Sequence, residues 1–194
     1  YVGAVSGACF TEAGHQVIGC DVNQSKVDGI NAGASPVVED GVAERIATAV
    51  QNGSMRATTS AAEAVAESDA SLVCVGTPSD AKGAISMAAV DAVTQDIGRA
   101  IRQKSSPHVV ILRSTVIPGT TEDRLTPQLE EHSGRKIGDG LGLCFNPEFL
   151  REGQAVKDFK APPFTLVGSV RDDDLAVDAL SELYAGLDAP LIRT

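Results

Sequence analysis

Short apolar runs rich in β-branched residues alternate along this chain with stretches of helical periodicity. That alternation limits the fold more than any single motif. "HQVIGCDV", "ASLVCVGT", "HVVILRST", "LGLCFN" and "FTLVGSV" are short, apolar and bounded by Gly, Pro or Asp, which predicts strands. Between them lie "AAEAVAESD", "MAAVDAVTQDIGRAIRQK", "TTEDRLTPQLEEHSG" and "DDDLAVDALSELYAGL". These carry apolar residues at helical spacing behind acid-rich starts, which suit a helix N-terminus. "KVDGINAG" and "GVAERIATAVQNG" add two helical pieces before a weak strand, "MRATT", and "APLIRT" supplies a last short strand. The repetition predicts an α/β fold with a doubly wound, mostly parallel sheet and helices on both faces.

The 194 residues fit one domain spanning the whole chain, a length that buries roughly 70% of the unfolded surface. Aromatics make up 4% and Trp is absent, so the core is built from Ala, Val, Ile and Leu, as buried parallel strands require. A formal net charge of −10 argues against nucleic acid as a partner, because its phosphates would be repelled. A phosphate-bearing small molecule is still compatible, since helix N-termini and backbone N–H groups bind one locally. No apolar run reaches membrane-spanning length. Cys9, Cys20, Cys74 and Cys144 form no C-x-x-C pair and read as buried small hydrophobes, consistent with a cytosolic location. His15, His108 and His132 have no ligand spacing and read as loop or element-end residues, so no metal is expected.

In open α/β sheets, ligands bind beyond the carboxyl ends of the strands. Two looser stretches occupy such places: "TPSDAKGAIS" and "NPEFLREGQAVKDFKAPP". A third candidate is the opening, "YVGAVSGACFTEAGHQVIGCDV". Gly3 fits the third glycine of G-x-G-x-x-G, the one that lets the following helix approach the sheet. Ala4, Gly7 and Ala8 are small enough to continue that approach, and Gly14 ends the helix. Asp21 closes the next strand, 18 residues beyond Gly3, close to the spacing of an acid that accepts both ribose hydroxyls. Such a carboxylate repels a 2′-phosphate and favours NAD over NADP. The competing reading is local: Gly3 serves helix packing and Asp21 caps the turn "DVNQSK". On the nucleotide reading the chain begins within its motif. A preceding apolar strand and G-x-G are expected, and these residues alone should be unstable and bind NAD poorly.

Later motifs carry further polar residues. Thr77 in "CVGTP" follows a strand that Pro78 terminates; it contacts a cofactor or serves the turn. Thr115 in "RSTVIPGTT" reaches a water, a nicotinamide or a reacting oxygen, or caps a helix. In "NPEFLRE", Glu148 and Glu152 are four apart and share a face if the segment is helical. Close pairing in a pocket would raise one of them toward a useful base. Otherwise they form a solvated acidic turn with Arg151 as counter-charge.

Six motifs in order, "YVGAV", "GHQVIGCDVNQSKVDGIN", "SPVVEDG", "LVCVGTP", "RSTVIPGTT" and "NPEFLREGQAVKDF", give the chain a resemblance to the N-terminal domain of the nucleotide-sugar 6-dehydrogenases. These are the UDP-glucose/GDP-mannose dehydrogenases, four-electron enzymes that oxidise a sugar C6 hydroxyl to a carboxylate with two NAD. "SPVVEDG", "NPEFLREGQAVKDFKAPPFTLVG" and "LDAPLIR" resemble the bacterial GDP-mannose branch, with the UDP-glucose branch as the near alternative. The resemblance implies a Rossmann-like fold with Tyr1, Val2, Gly3, Asp21, Lys26, Thr77 and Thr115 against NAD. It also implies Thr115 and Glu148 in the reaction site, with Glu148 the base that activates water, and Leu150 and Glu152 against the nucleotide sugar.

The implied reaction passes the C6 hydride to NAD. A cysteine thiolate captures the aldehyde, a second NAD takes hydride from the thiohemiacetal, and water hydrolyses the thioester. The family carries that cysteine in a later glycine-rich loop, and none of the four cysteines here lies in one. These residues alone are therefore expected to be catalytically silent. The resemblance further implies a homo-oligomeric whole protein. Asp40 in "VVEDGV" stands where the family usually has proline, which loosens the start of the next helix. A different β-hydroxyacid-type dehydrogenase and a non-catalytic nucleotide-binding module are the competing functional classes.

Overall fold

Each of the apolar runs forms a strand, and the intervening periodic stretches are helical. In the computed structural model, residues 1–79, 83–187 and 189–194 are described. Residues 80–82 of the "TPSDAKGAIS" loop and Asp188 of "LDAPLIR" lie outside the described residues. The strands are β1 (Val17–Cys20), β2 (Met55–Thr58), β3 (Ala70–Val73), β4 (His108–Leu112), β5 (Leu141–Phe145), β6 (Thr165–Ser169) and β7 (Leu191–Arg193). The helices are α1 (Val2–Glu12), α2 (Gln24–Asn31), α3 (Val42–Gln51), α4 (Ala61–Ala66), α5 (Ala88–Ile101), α6 (Thr126–Ser133), α7 (Ala155–Lys160) and α8 (Asp174–Leu183). The chain clusters into two compact units. One comprises Tyr1–Ala64, Glu148–Thr165 and Leu183–Pro190; the other comprises Val65–Pro147, Leu166–Glu182 and Leu191–Thr194.

In the first unit, β1 and β2 pair in parallel, Val17 opposite Met55 and Cys20 opposite Thr58. Helix α1 lies close to both strands because Gly7 has no side chain. A Cβ there would stand 3.1 Å from Met55 Cε and 3.3 Å from Val17 Cγ1. Gly3, by contrast, is exposed in the first turn. Gly7, one helical turn beyond Gly3, makes the close approach expected of the small residues in α1. Gly14 adopts φ +99° just past the end of α1, a backbone conformation that costs glycine least. Asn31, at the end of α2, pairs its side-chain amide with both backbone groups of Ala57, at 2.7 and 3.0 Å. That satisfies groups of β2 that none of the described strands reaches. Phe10 meets Phe159 and Tyr184 edge-on and anchors α7 in this unit.

The second unit holds the strand order β3-β4-β5-β6-β7. The β3-β4 and β4-β5 pairs are parallel and β5-β6 is antiparallel. All five residues of β4 are buried, so both faces of this strand are covered. Val110, Leu112, Leu141 and Leu143 pack with Ile97 and Ile101 of α5 and Leu129 of α6. On the other face Gly142 admits α8: a Cβ there would lie 3.4 Å from Ala176 Cβ. The helical stretch "TTEDRLTPQLEEHSG" divides into a π-helical segment, Thr120–Leu125, and α6. Pro127 explains the division, because it lacks the N–H that would extend a regular ladder from the preceding turn.

His108 opens β4 and is fully buried. Its Nε2 lies 2.8 Å from Ser71 Oγ, and its Nδ1 lies 3.1 Å from Lys104 Nζ. Lys104 also donates to the carbonyls of Val65 and Ser68. Nδ1 also lies 3.1 Å from the Ser68 carbonyl oxygen, so the ring is held between an ammonium and a carbonyl at one nitrogen and a hydroxyl at the other. Burial first, and the Lys104 charge second, push the His108 pKa down to about 4. Among the described residues no helix is long and apolar enough to cross a membrane.

Candidate functional site

The candidate residues divide between the two units. In the first, Asp21 follows the carboxyl end of β1. Its Oδ1 accepts from Asn23 N at 2.9 Å and its Oδ2 pairs with Lys26 Nζ at 3.2 Å. Partial burial opposes the charge, but the Asn23 N–H and the Lys26 ammonium outweigh it and hold the carboxyl below its ordinary value. Asp21 is therefore an ionised acceptor. The helix cap itself is Asn23, whose side chain accepts from Ser25 N and Lys26 N. Lys26 thus sits beside Asp21 and shares Oδ2 with any hydroxyl that approaches it.

Tyr1 caps α1, followed by half-buried Val2 and exposed Gly3. The Tyr1 hydroxyl donates to Glu39 Oε2 at 2.6 Å. Burial, the bond to Glu39 and then the charges of Glu39, Glu152 and Glu148 raise the phenol's pKa, so it stays a donor throughout the neutral range. These influences gather Tyr1, Glu39, Glu148 and Glu152 into one acidic neighbourhood within the first unit.

The segment 146–150 has no regular structure, which removes the helical basis for placing Glu148 and Glu152 on one face. Glu148 instead folds back, its Oε2 accepting from Leu150 N at 2.6 Å. Leu150 is half-buried, Glu152 is exposed, and Gly153 adopts φ +81°. Helix begins only at Ala155. Arg151 faces Asp158, with Nε to Oδ2 at 3.0 Å and Nη2 to Oδ1 at 2.7 Å. That fork pulls the Asp158 pKa down to about 2 and makes Asp158 the partner of Arg151.

In the second unit the carboxyl ends of β3, β4 and β5 are joined by polar side chains. Thr77 Oγ1 donates to Thr115 O at 2.8 Å. Ser114 Oγ donates to Val75 O at 2.6 Å. Arg113, buried, reaches Asn146 Oδ1 at 2.5 Å, and Asn146 Nδ2 donates to Leu166 O at 2.8 Å. Thr115 is exposed. Gly119, four residues later, caps the π-helical segment, so the helix-cap reading of Thr115 does not hold. This arrangement fixes the Thr115 backbone and leaves its side chain open to a ligand.

Sequence reasoning passed over Arg113, Asn146 and Glu39. An arginine ending an otherwise apolar strand was the available signal for the first. Of the cysteines, Cys9 and Cys144 are buried, Cys74 is half-buried and Cys20 is exposed, so the reading as buried hydrophobes fails at Cys20. The four form no disulfide. Burial pushes the Cys144 thiol up to about 12, which disfavours the thiolate a nucleophile needs. A groove on the first unit, lined by Thr11, Glu44, Thr48 and Asn52 among others, contains none of the candidate residues.

Residues 1–188 match the model of the UDP-glucose/GDP-mannose dehydrogenase family, NAD binding domain. GDP-mannose 6-dehydrogenase of Pseudomonas putida is 45% identical over 193 residues, covering 100% of this chain and 44% of that protein. UDP-glucose 6-dehydrogenase AglM of Haloferax volcanii is 37% identical over 199 residues, covering 100% of this chain and 45% of that protein. Among solved structures, a ternary complex of GDP-mannose dehydrogenase from Pseudomonas aeruginosa matches with a TM-score of 0.96 at 45% identity. It is covered over 44% of its length by 100% of this chain. The chain spans less than half the length of these relatives, and its fold is the Rossmann-like α/β fold.

Proposed function

The chain belongs to the UDP-glucose/GDP-mannose dehydrogenase family, and we propose that it is the NAD-binding part of a GDP-mannose 6-dehydrogenase. The whole protein then oxidises the C6 hydroxyl of GDP-mannose to a carboxylate, giving GDP-mannuronate. One observation carries the choice of sugar. Over the full chain, identity to GDP-mannose 6-dehydrogenases is 45% and 46%, against 37% for the archaeal UDP-glucose enzyme. That enzyme supports UDP-glucose as the second reading. Incubating the protein as it is naturally made with each sugar and NAD, and following NADH, tests the choice. Faster turnover of UDP-glucose would reverse it.

The residues present suit NAD. Asp21 is an ionised acceptor at the carboxyl end of a parallel strand, and Thr77 and Thr115 lie past two others. NAD, when bound, supplies the hydride acceptor for both oxidations. Asp21 accepts the ribose hydroxyls, Lys26 lies beside it, and Tyr1, Val2 and Gly3 line the start of α1. Thr77 holds the Thr115 backbone, and Thr115 presents its hydroxyl to the reacting end. Glu148 takes the proton of the water that releases the product, while Leu150 and Glu152 contact the nucleotide sugar. The attacking thiol is none of Cys9, Cys20, Cys74 and Cys144. We further infer a homo-oligomeric, cytoplasmic protein without nucleic-acid partners, in keeping with the net charge of −10.

Asp21→Ala removes two charge-assisted hydrogen bonds to the ribose. Their loss should weaken NAD binding about 100-fold in calorimetry, near the lower end of what two hydrogen bonds to a charged group contribute. Unchanged affinity would remove Asp21 from the cofactor site.

A further inference from the structure

Glu39 lies between α2 and α3, outside regular structure, and is only 9% exposed. A carboxylate so buried must be matched by donors, and three surround it. Its Oε2 accepts from Tyr1 Oη at 2.6 Å and from Gly153 N at 2.7 Å; its Oε1 accepts from Ala155 N at 2.9 Å. The Tyr1 and Gly153 bonds outweigh the opposing burial, and with the Ala155 bond they hold the carboxyl below its ordinary value. Glu39 therefore keeps its charge, and its hydrogen bonds are of the stronger, charge-assisted kind.

These partners come from separate stretches of the first unit. Tyr1 opens α1. Gly153 and Ala155 lie immediately after the segment that carries Glu148, Leu150 and Glu152. Had the carboxylate served only the start of α7, the two backbone bonds would suffice and the phenol would be superfluous. We propose that Glu39 is a positioning residue that ties the 148–155 segment to Tyr1, so that the candidate substrate residues and the start of α1 are ordered together. Binding at either place then favours binding at the other, and the coupling is reciprocal. The functional half of this inference rests on the roles given to Tyr1, Glu148, Leu150 and Glu152 under Proposed function; the tether itself does not.

The test uses the protein as it is naturally made, with amide exchange and steady-state kinetics measured on Glu39→Ala and Glu39→Gln. In Glu39→Ala the peptide covering 148–155 should exchange at least 10-fold faster, with α5 and α6 unchanged. KM for the nucleotide sugar should rise about 5- to 10-fold, and kcat should fall with it because Glu148 lies in the loosened segment. Glu39→Gln can still accept one N–H and donate to the phenol, so it should recover part of both effects. A merely structural role would lower the active fraction, and so kcat, without moving KM. Unchanged exchange across 148–155 would overturn the tether, and faster exchange with an unchanged KM would overturn its role in substrate binding. If the wild-type protein oxidises no nucleotide sugar, the reading under Proposed function fails, and exchange still decides whether Glu39 anchors the segment. Should Glu39→Ala not fold, Glu39→Gln alone decides: wild-type exchange and KM in it would overturn the proposal.

Discussion

Glu148→Gln should lower the steady-state turnover of the whole protein by about two to four orders of magnitude, the range general-base catalysis contributes. Glutamine keeps the shape of the side chain and its acceptor for Leu150 N–H, a bond of 2.6 Å, so the local fold survives. It cannot take a proton. If Glu148 serves only the release of product by water, both oxidations precede its step. A rapid burst of NADH, about two per active site, should then persist while the steady rate collapses. Stopped-flow absorbance separates the two phases. Loss of the burst together with the steady rate would place Glu148 in the oxidation steps instead.

The second large effect concerns stability and pH. His108 has a folded pKa of about 4 against 6.5 when unfolded, so between these values the unfolded chain binds more protons than the native one. The stabilisation is complete above pH 6.5 and is lost as pH falls toward 4, for a total of about 3 kcal/mol. Protonation would put a second cation against Lys104 Nζ, 3.1 Å from Nδ1. Urea unfolding between pH 4 and 7.5 should show this loss, and His108→Gln should flatten the pH dependence. The His108 ring resonances should titrate near pH 4 in NMR; titration near 6.5 would refute the account.

His108 also marks where sequence reading stops. Its place at the end of an element was legible from the neighbouring proline and the apolar run after it. Its burial was not, because Lys104, Ser68 and Ser71 are assembled by packing. The strands were legible for the opposite reason: β4 is apolar at nearly every position since both its faces are covered, and that leaves a continuous signature. The place of Asp21 just past a strand was legible because it depends on a fixed distance along one helix and one strand. The spacing of Glu148 and Glu152 misled, since four residues pair two side chains only on a helix. Here Pro147 precedes the segment, Glu148 bonds the backbone of Leu150, and Gly153 takes positive φ. Glu39 left no local trace, because its donors stand 38, 114 and 116 residues away.

Those long separations bear on how the molecule is made. The unit that holds Asp21 and Glu39 takes its last stretch from Leu183–Pro190. A ribosome adds roughly 5–20 residues per second, so the interval between the emergence of Glu39 and that of Gly153 is on the order of 6 to 20 seconds. Throughout it the carboxylate lacks the backbone amides of Gly153 and Ala155, and the nascent stretch around Glu39 must wait, hydrated and incomplete, for the chain to return. Synonymous codons that slow translation between these two points would lengthen that exposure to chaperones and proteases without altering a single side chain.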